Sequence, residues 1–596
     1  MGLFQKAYET YENHEDLVGI IPEDGKALLP VAHIFMNAGL EITIDKEGKF
    51  KKAEIVIKND AKTIIPVTME SGGRSGTNPS AHPLCDKVSY MLKENEDKYD
   101  DYYKQLCRWA ESAYTDVKLC AVRNYVAKGT IIEDLKRCSV WAEGKGSDEK
   151  NKKLLESVVR WRVTGLGENS VAECWKDKNL FSAWEKYYLS IMDNESNLCM
   201  ISGRNESITE NHPKNIVSFN ANAKLISAND AKNFTYRGRF QKGVEACSVG
   251  YLSSQKAHSV LRWLVEHGNS LFGRSYLCWN PKGKHLPKIW SPIDFTELEV
   301  MATPADYKKQ VKNALSGFRN DLPDTEDVII AAIDAATSGR MSITYYNELK
   351  ASDFFDRIEK WYESCCWNSG KLGIRTPTIY KIVKLAYGVE KDDGQIDANE
   401  LIFRDNSQRM IKCITDKATM PYDIVRQLSQ KASNPQAYNM KYTNYRDLLF
   451  VVCAVIRKYY NDRCQKEEWT LTLDKEKVDK DYLFGRLLAI MEKVERDTYD
   501  REECREPNAI RMQAAFCKKP FYYAAIIHKQ LSPYFAKQSS GRRIYYKNEI
   551  GAIMDKLAEF SEAELNKPLN EKYLLGYYLQ RTELYKSKKE EIKEED

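Results

Sequence analysis

Apolar and polar residues alternate twice near the start of the chain. Leu40-Glu41-Ile42-Thr43-Ile44 and Ala53-Glu54-Ile55-Val56-Ile57 flank Asp45-Lys46-Glu47-Gly48, the pattern of two strands joined by a turn. A second apolar run, Thr63-Ile64-Ile65-Pro66-Val67-Thr68-Met69, leads into residues 70–79. Those ten residues hold three Gly and one Pro and predict an irregular loop. Over residues 84–178 the apolar spacing becomes helical, with Trp and Tyr on the apolar faces.

Glycine marks the next change. Residues 1–388 hold 25 of the 30 Gly and residues 389–596 hold 5, and amphipathic stretches fill that second part. Thr376 reads as a helix cap with Pro377 at the first position and Gly388 past the end. Leu483, Phe484, Leu487, Leu488, Met491 and Val494 recur at helical spacing, as do Tyr573, Leu574, Tyr577, Tyr578, Leu584 and Tyr585. The pattern predicts an α+β N-terminal region of β-hairpins and helices, followed by an all-α C-terminal bundle. Three domains are expected: an α+β region over 1–215, a central basic and aromatic α/β region over 216–375, and the bundle over 376–596. Residues 586–596 hold one apolar residue and predict a frayed end. No internal repeat or low-complexity tract stands out.

Composition narrows the class. The chain has 596 residues, 43% hydrophobic and 30% charged, which excludes a disordered or collagen-like chain. Its 15 Cys form no CxxC and no disulfide framework, the usage of a reducing cytoplasm. The first ten residues carry no apolar signal core, and no run reaches membrane-span length. A cytoplasmic protein that meets no membrane is expected. With 8 His and no Cys/His cluster, no zinc site and no metal are expected.

Several enzyme signatures are missing. GxxxxGK[ST], HExxH, GxSxG and GxGxxG are all absent, and Gly165-Leu166-Gly167-Glu168-Asn169-Ser170 lacks the last glycine of a dinucleotide fingerprint. No catalytic residue and no cofactor are assigned. A binding protein is favoured, with a nuclease built from dispersed carboxylates left as the enzymatic alternative.

The net charge of +4 conceals segregation. Residues 231–293 hold ten cations, among them Lys232, Arg237, Arg239, Lys242, Lys256 and Arg262, against Glu245 and Glu266. Phe234, Tyr236, Phe240, Tyr251, Trp263, Phe272, Tyr276, Trp279 and Trp290 are interleaved. Lys and Arg suit phosphates and flat rings suit unpaired bases; a solvated face over an aromatic core is the competing reading. Residues 511–548 hold Arg511, Lys518, Lys519, Lys529, Lys537, Arg542, Arg543 and Lys547 and no acid. A nucleic-acid strand or an acidic protein surface fits that face. The two segments carry +16 together, which leaves −12 on the other 495 residues.

Two local features complete the candidate chemistry. The 71–78 loop sets Arg74, Ser75 and Asn78 among Gly72 and Gly73, and Arg and Asn are the side chains suited to base edges; an ordinary surface loop is the alternative. Residues 253–268 read as a helix capped by Ser and ended by Gly268. Gln255 and Lys256 at its N-terminus suit phosphate. His258 reads as a structural histidine, since no acid neighbours it.

Strings along the whole chain resemble one family. They are Ile65-Pro66 with Ser71-Gly72-Gly73-Arg74-Ser75-Gly76 and Leu84-Cys85-Asp86-Lys87; Val217-Ser218-Phe219-Asn220; SQKAHSVLRWL at 254–264; Gly339-Arg340 with Tyr345-Tyr346; and Leu575-Gly576-Tyr577-Tyr578-Leu579-Gln580-Arg581. In order and spacing the chain resembles the large subunit of the type I-C CRISPR interference complex, the Csd-type subunit of Cascade.

The resemblance implies a crRNA-guided surveillance complex in antiviral defence. Its large subunit reads a protospacer-adjacent motif in double-stranded DNA, assists R-loop formation and supports the displaced strand, while guide pairing reads the rest. Implied partners are crRNA-containing backbone subunits, target DNA, a separate helicase-nuclease, and a small subunit translated from the same gene, for which Met440 and Met491 are candidate starts. The subunit is expected not to be an enzyme. On this resemblance Gly72, Gly73, Arg74, Ser75 and Asn78 approach the adjacent motif, with Asn220 and Asn222 beside Phe219 as second candidates. The 231–293 and 511–548 cations, with Gln255, are assigned to nucleic-acid backbone. A structural scaffold that binds only protein and guide RNA is the remaining alternative.

Overall fold

The computed structural model describes residues 2–74, 80–144, 147–168, 170–192, 196–227, 238–271, 273–289, 303–337, 339–370, 373–439, 443–463, 468–500 and 505–586. The chain divides into two units. One comprises Met1–Lys284 with Val328–Glu348; the other comprises His285–Asp327 with Leu349–Asp596. Ser75, Asn78, Lys232, Arg237, Phe234, Tyr236, Trp290, Met440 and residues 587–596 lie outside the described residues.

The first unit is α+β. Helix α1 (Leu3–Asn13) precedes a central strand β1 (His33–Asp45), which pairs antiparallel with β2 (Phe50–Ile55) and β3 (Lys62–Pro66). The expected hairpin is present, with Leu40 opposite Ile55 and Ile42 opposite Ala53. Its turn closes because Asp45 Oδ1 accepts the Lys49 amide at 2.8 Å and Gly48 takes φ +77°, close to the Ala121 carbonyl. Helices α2 (Glu96–Ala110) and α3 (Val117–Lys128) lie in the stretch read as helical. That reading fails at β4 (Val158–Thr164), which runs parallel to β1. Val-Val-Arg-Trp-Arg-Val-Thr is β-branched and aromatic, and pairing with β1 decides its state.

Helix α4 (Lys178–Ser190) then delivers Trp184 to the core, 4.9 Å from Trp109 in an edge-to-face contact. Helix α5 (Tyr251–His267) lies along α1 and leads into β5 (Asn269–Leu271) and β6 (Arg274–Trp279). A second sheet follows the order β8 (Arg340–Lys350), β7 (Asp327–Thr337), β6, β5. Leu84 takes φ +62°, and its carbonyl accepts the Tyr102 hydroxyl at 2.6 Å and the Trp161 indole at 2.8 Å. Those two bonds hold an unfavourable backbone state beside the predicted site.

The second unit is mostly helical, as the glycine-poor pattern predicts. It contains α6 (Pro304–Asp321), α7 (Ala351–Ser364), α8 (Ile379–Tyr387), α9 (Glu400–Thr415), α10 (Tyr422–Ala432), α11 (Asn444–Arg463), α12 (Lys480–Arg496), α13 (Pro520–Gln530), α14 (Ser532–Lys537), α15 (Ser540–Leu557) and α16 (Tyr573–Tyr585). The α8 cap is Thr378, whose hydroxyl accepts the Lys381 amide at 3.1 Å, two residues past the expected Thr376. Leu483, Phe484, Leu487, Leu488 and Val494 of α12 are fully buried. Helix α16 crosses α12 backbone to backbone. A Cβ at Gly485 would overlap the Tyr573 carbonyl, and one at Gly576 would overlap the Tyr482 carbonyl.

Gly576→Ala should therefore destabilise the second unit by about 1–3 kcal/mol through overpacking. Gly551→Ala, in α15 with open space around it, should be neutral or stabilise by up to about 1 kcal/mol through helix propensity. Denaturant unfolding of the two variants checks the pair, and equal effects would remove the close-crossing account.

Candidate nucleic-acid interface

A cleft of about 490 Å³ opens in the first unit. It is lined by Gln255, His258, Ser259 and Arg262 of α5, by Val67–Glu70, Gly72 and Gly73, and by residues 211–215, Asn222 and Lys224. The α5 lining is set by how that helix is seated. Its N-cap is Gly250, which has no side chain to offer. The carboxylate of Glu206 supplies the missing acceptor, taking the Ser253 amide at 3.1 Å and the Ser253 hydroxyl at 2.5 Å. The helix thus starts at Tyr251 and not at the serines. Farther along, the Ser259 hydroxyl accepts the Leu29 amide at 3.0 Å and donates to the Leu29 carbonyl at 2.9 Å.

Charge in the cleft is lopsided. Lys214, Lys224 and Arg262 face a single acid, Glu70. Lys224 is fixed by its backbone, which pairs with Gly339 and Met341 at 3.2 and 2.9 Å. Burial, and after it the like charge of Lys214, holds its ammonium below the ordinary lysine range. Among the described residues no carboxylate lies within 4 Å of Lys214 or Lys224. Lys214 instead donates to Asn222 Oδ1 at 3.5 Å. Arg262 sits over the Phe35 ring at 5.1 Å and reaches Glu266 at 3.4 Å. Two half-buried cations with no counter-ion and several amide side chains suit a polyanion that presents hydrogen-bonding edges.

The predicted residues divide accordingly. Gly72, Gly73, Asn222, Gln255 and Arg262 come together in the cleft. Ser71 and Gly72 are not in an open loop: Met69–Gly72 forms one helical turn, boxed by Thr68 and Ser71. Arg74 is turned onto Asp86, which it grips at 2.7 and 2.8 Å, and donates to the Ser80 carbonyl at 2.9 Å. Asp86 is fully buried and also takes the His82 amide at 2.6 Å. Asn220 donates to the Thr337 carbonyl at 2.7 Å. Lys256 is paired with Glu12 and lies over Tyr11 at 5.3 Å. Arg239 and Lys242 are exposed, the former over Phe240.

The second unit carries a different surface. Arg511, Lys518, Lys519, Lys529, Lys537, Arg542 and Lys547 are exposed and Arg543 is half-buried. Asp497, 4.0 Å from Arg542, is the one carboxylate within that distance of any of them among the described residues. Tyr522 and Tyr545 stand 56% and 44% exposed among these cations. Exposed cations and rings thus occur on helices α13 to α15 and on the segment just before α13, the groups that phosphate contacts and base stacking need.

Sequence reasoning missed Lys214, Lys224, Asn211, Asn215 and His212. The string Asn211-His212-Pro213-Lys214-Asn215 carried the signal, just before Val217-Ser218-Phe219-Asn220, but the charge window began at 231. Among the described residues no three His, Cys, Asp or Glu side chains converge to hold a metal ion, and no helix is long and apolar enough to cross a membrane.

A model of the family described as CRISPR-associated protein (Cas_Csd1) matches residues 7–585. No curated protein matches the chain.

Lys224→Met should raise the unfolding midpoint, by an amount equivalent to roughly 0.5–2 kcal/mol, because a half-buried uncompensated charge is removed. The same variant should weaken duplex DNA binding several-fold. Chemical denaturation and a binding titration check the two halves, and a destabilised variant would contradict the charge reading. Arg74→Ala should do the reverse and cost about 3–5 kcal/mol, because it orphans the buried Asp86 carboxylate.

Proposed function

The chain belongs to the Cas_Csd1 family of CRISPR-associated proteins, and from that premise we propose that it is the DNA-holding large subunit of the type I-C surveillance complex. It is a Cascade subunit by family. In our reading the cleft of the first unit takes the protospacer-adjacent motif of duplex target DNA. Gly72 and Gly73 let backbone approach the DNA, Asn222 and Gln255 offer hydrogen bonds to base or sugar edges, and Lys214, Lys224 and Arg262 hold phosphates. Arg74 acts through Asp86 to position the start of the segment that bears Ser75 and Asn78. The α13–α15 face supports the displaced strand, its cations on phosphates and Tyr522 and Tyr545 under bases.

The observation that carries this reading is the Lys214–Lys224 pair, two cations in one cleft with no carboxylate within 4 Å of either among the described residues. A scaffold touching only protein has no need to pay that electrostatic cost. The subunit does no chemistry in this reading: it binds, helps open the duplex, and supports a separate helicase-nuclease. Its other partners are the crRNA-containing backbone subunits and a small subunit that the C-terminal helical part resembles.

The test is binding of target DNA by the assembled complex. Lys214→Gln with Lys224→Gln should weaken binding of target duplex several-fold, cognate motif included, while the complex still assembles. Cognate binding at wild-type strength would sink the assignment. Neutralising Lys518, Lys519, Arg542 and Arg543 together should lower the slope of log affinity against log salt by about 3, since each single-strand phosphate contact contributes about 0.7. An unchanged slope would assign that face to protein docking.

A further inference from the structure

Behind the cleft lies a buried chain of three side chains. His258 Nδ1 is 2.7 Å from the Ser254 carbonyl oxygen and 3.2 Å from the Ser254 hydroxyl. That hydroxyl is 2.9 Å from His212 Nδ1. The two imidazoles lie 6.1 Å apart with their planes 22° from parallel. Ser254 is fully buried, and His212 and His258 are nearly so.

The hydrogens of this chain can be placed by elimination. A carbonyl oxygen only accepts, so His258 carries its hydrogen on Nδ1. The Ser254 oxygen lies within reach of the same N–H and accepts a share of it. Its own hydrogen must then go elsewhere, because a buried hydroxyl without a partner is costly. Among the described residues the remaining acceptor in reach is His212 Nδ1. His212 therefore accepts at Nδ1 and carries its hydrogen on Nε2. Burial, with His258 and Lys224 adding to it, holds His212 down to about 3, and burial holds His258 down to about 4, so both rings are neutral near pH 7. Nδ1 is turned inward onto Ser254, which leaves the Nε2–H for the cleft that His212 lines with Lys214 and Lys224.

We propose that His212 is a specificity-determining residue of the cleft, a neutral imidazole whose Nε2–H is locked as a hydrogen-bond donor by Ser254. It admits a base edge that presents an acceptor and rejects one that presents an amino group at the same place. The lock distinguishes it from the neighbouring amides. Gln255 can turn its amide between donor and acceptor and tolerate either edge, and Asn222 is held only by the long bond that Lys214 donates to its Oδ1 at 3.5 Å. His212 cannot change roles without leaving the Ser254 hydroxyl hydrogen buried and unpaired. In the minor groove, adenine N3 and thymine O2 are acceptors and the guanine N2 amino group is a donor; in the major groove the amino groups of adenine and cytosine are the donors. One position of the adjacent motif is thus selected against an amino group. This rests on the cleft reading above.

The experiment measures binding of the assembled complex to target duplexes carrying each base pair at each position of the adjacent motif. With His212→Phe, discrimination at one position should fall roughly five- to tenfold, the worth of one hydrogen bond, while binding to non-cognate duplex stays within about twofold. Ser254→Ala, which frees the tautomer, should give a partial loss at the same position. Nitrogen NMR of the histidine-labelled full chain gives an independent readout: the His212 proton should sit on Nε2 in the native protein and become shared with Nδ1 in Ser254→Ala. An unaltered selectivity profile for His212→Phe, or a native proton on Nδ1, overturns the assignment while leaving the cleft reading standing. Equal binding of the native complex to every motif variant removes the cleft reading, and this assignment with it.

Discussion

The contact between the Glu206 carboxylate and the first turn of α5 is the constraint on which the cleft depends. A helix N-terminus leaves amides unsatisfied and carries partial positive charge. Gly250 can meet neither need. Glu206, in the second strand of the short hairpin formed by Ser196–Leu198 and Asn205–Ser207, brings an acceptor and a negative charge to that point. Gly250 must be glycine because a Cβ would overlap this carboxylate. The contact sets where α5 begins, and Ser259 on Leu29 sets its far register. Between those two anchors lie Ser254, Gln255 and His258. A helix slipped by one residue would turn this row about 100° away and leave no wall.

Charge is the second constraint, and it separates what the sequence shows from what it hides. The hairpin, the glycine-poor bundle, and the buried stripes of α12 and the first turns of α16 were legible because each is set by near neighbours, while Tyr585, read into the α16 stripe, is exposed. The +8 of residues 231–293 was visible but overstated the available charge. Lys256 is paired with Glu12, 244 positions away, and Arg274 with Asp334 at 2.9 Å. No local window sees such partners. The same blindness hid the Arg74–Asp86 pair, which makes the predicted reader a clamp in this structure. It also hid Lys214 and Lys224, ten positions apart in a stretch of unremarkable charge. What distinguishes them is that, among the described residues, no carboxylate lies within 4 Å, and such spacing is a property of the fold. The strand state of Val158–Thr164 was likewise decided by β1, more than a hundred residues earlier.

The acid-free run at 511–548 behaves differently, and the reason is its secondary structure. Helices α13 to α15 bury a narrow stripe, with Ala524, Ile527, Phe535, Tyr546 and Ile550 turned inward. The cations occupy the remaining arc, where water screens them and no counter-ion is needed for stability. A charge count along the sequence and a charge count on the surface therefore agree here. They disagree around the cleft, where burial forces each cation either to find a carboxylate or to remain at a cost.

That difference implies a division of labour between the two surfaces. Screened, exposed cations attract any polyanion and lose their grip as salt rises. They suit a strand that must be held regardless of sequence. Half-buried cations fixed by backbone, as Lys224 is by Gly339 and Met341, are less screened and cannot follow a moving partner. They favour a ligand of one shape at one place, and the amide and imidazole groups around them can then test that ligand's edges. In the proposed reading, the cleft lysines, which have no carboxylate within 4 Å among the described residues, cost the free subunit stability, and a bound anion offsets that cost. A site built this way gains affinity and selectivity from the same strain, which is why its lysines are better indicators of function than the larger and more conspicuous basic face.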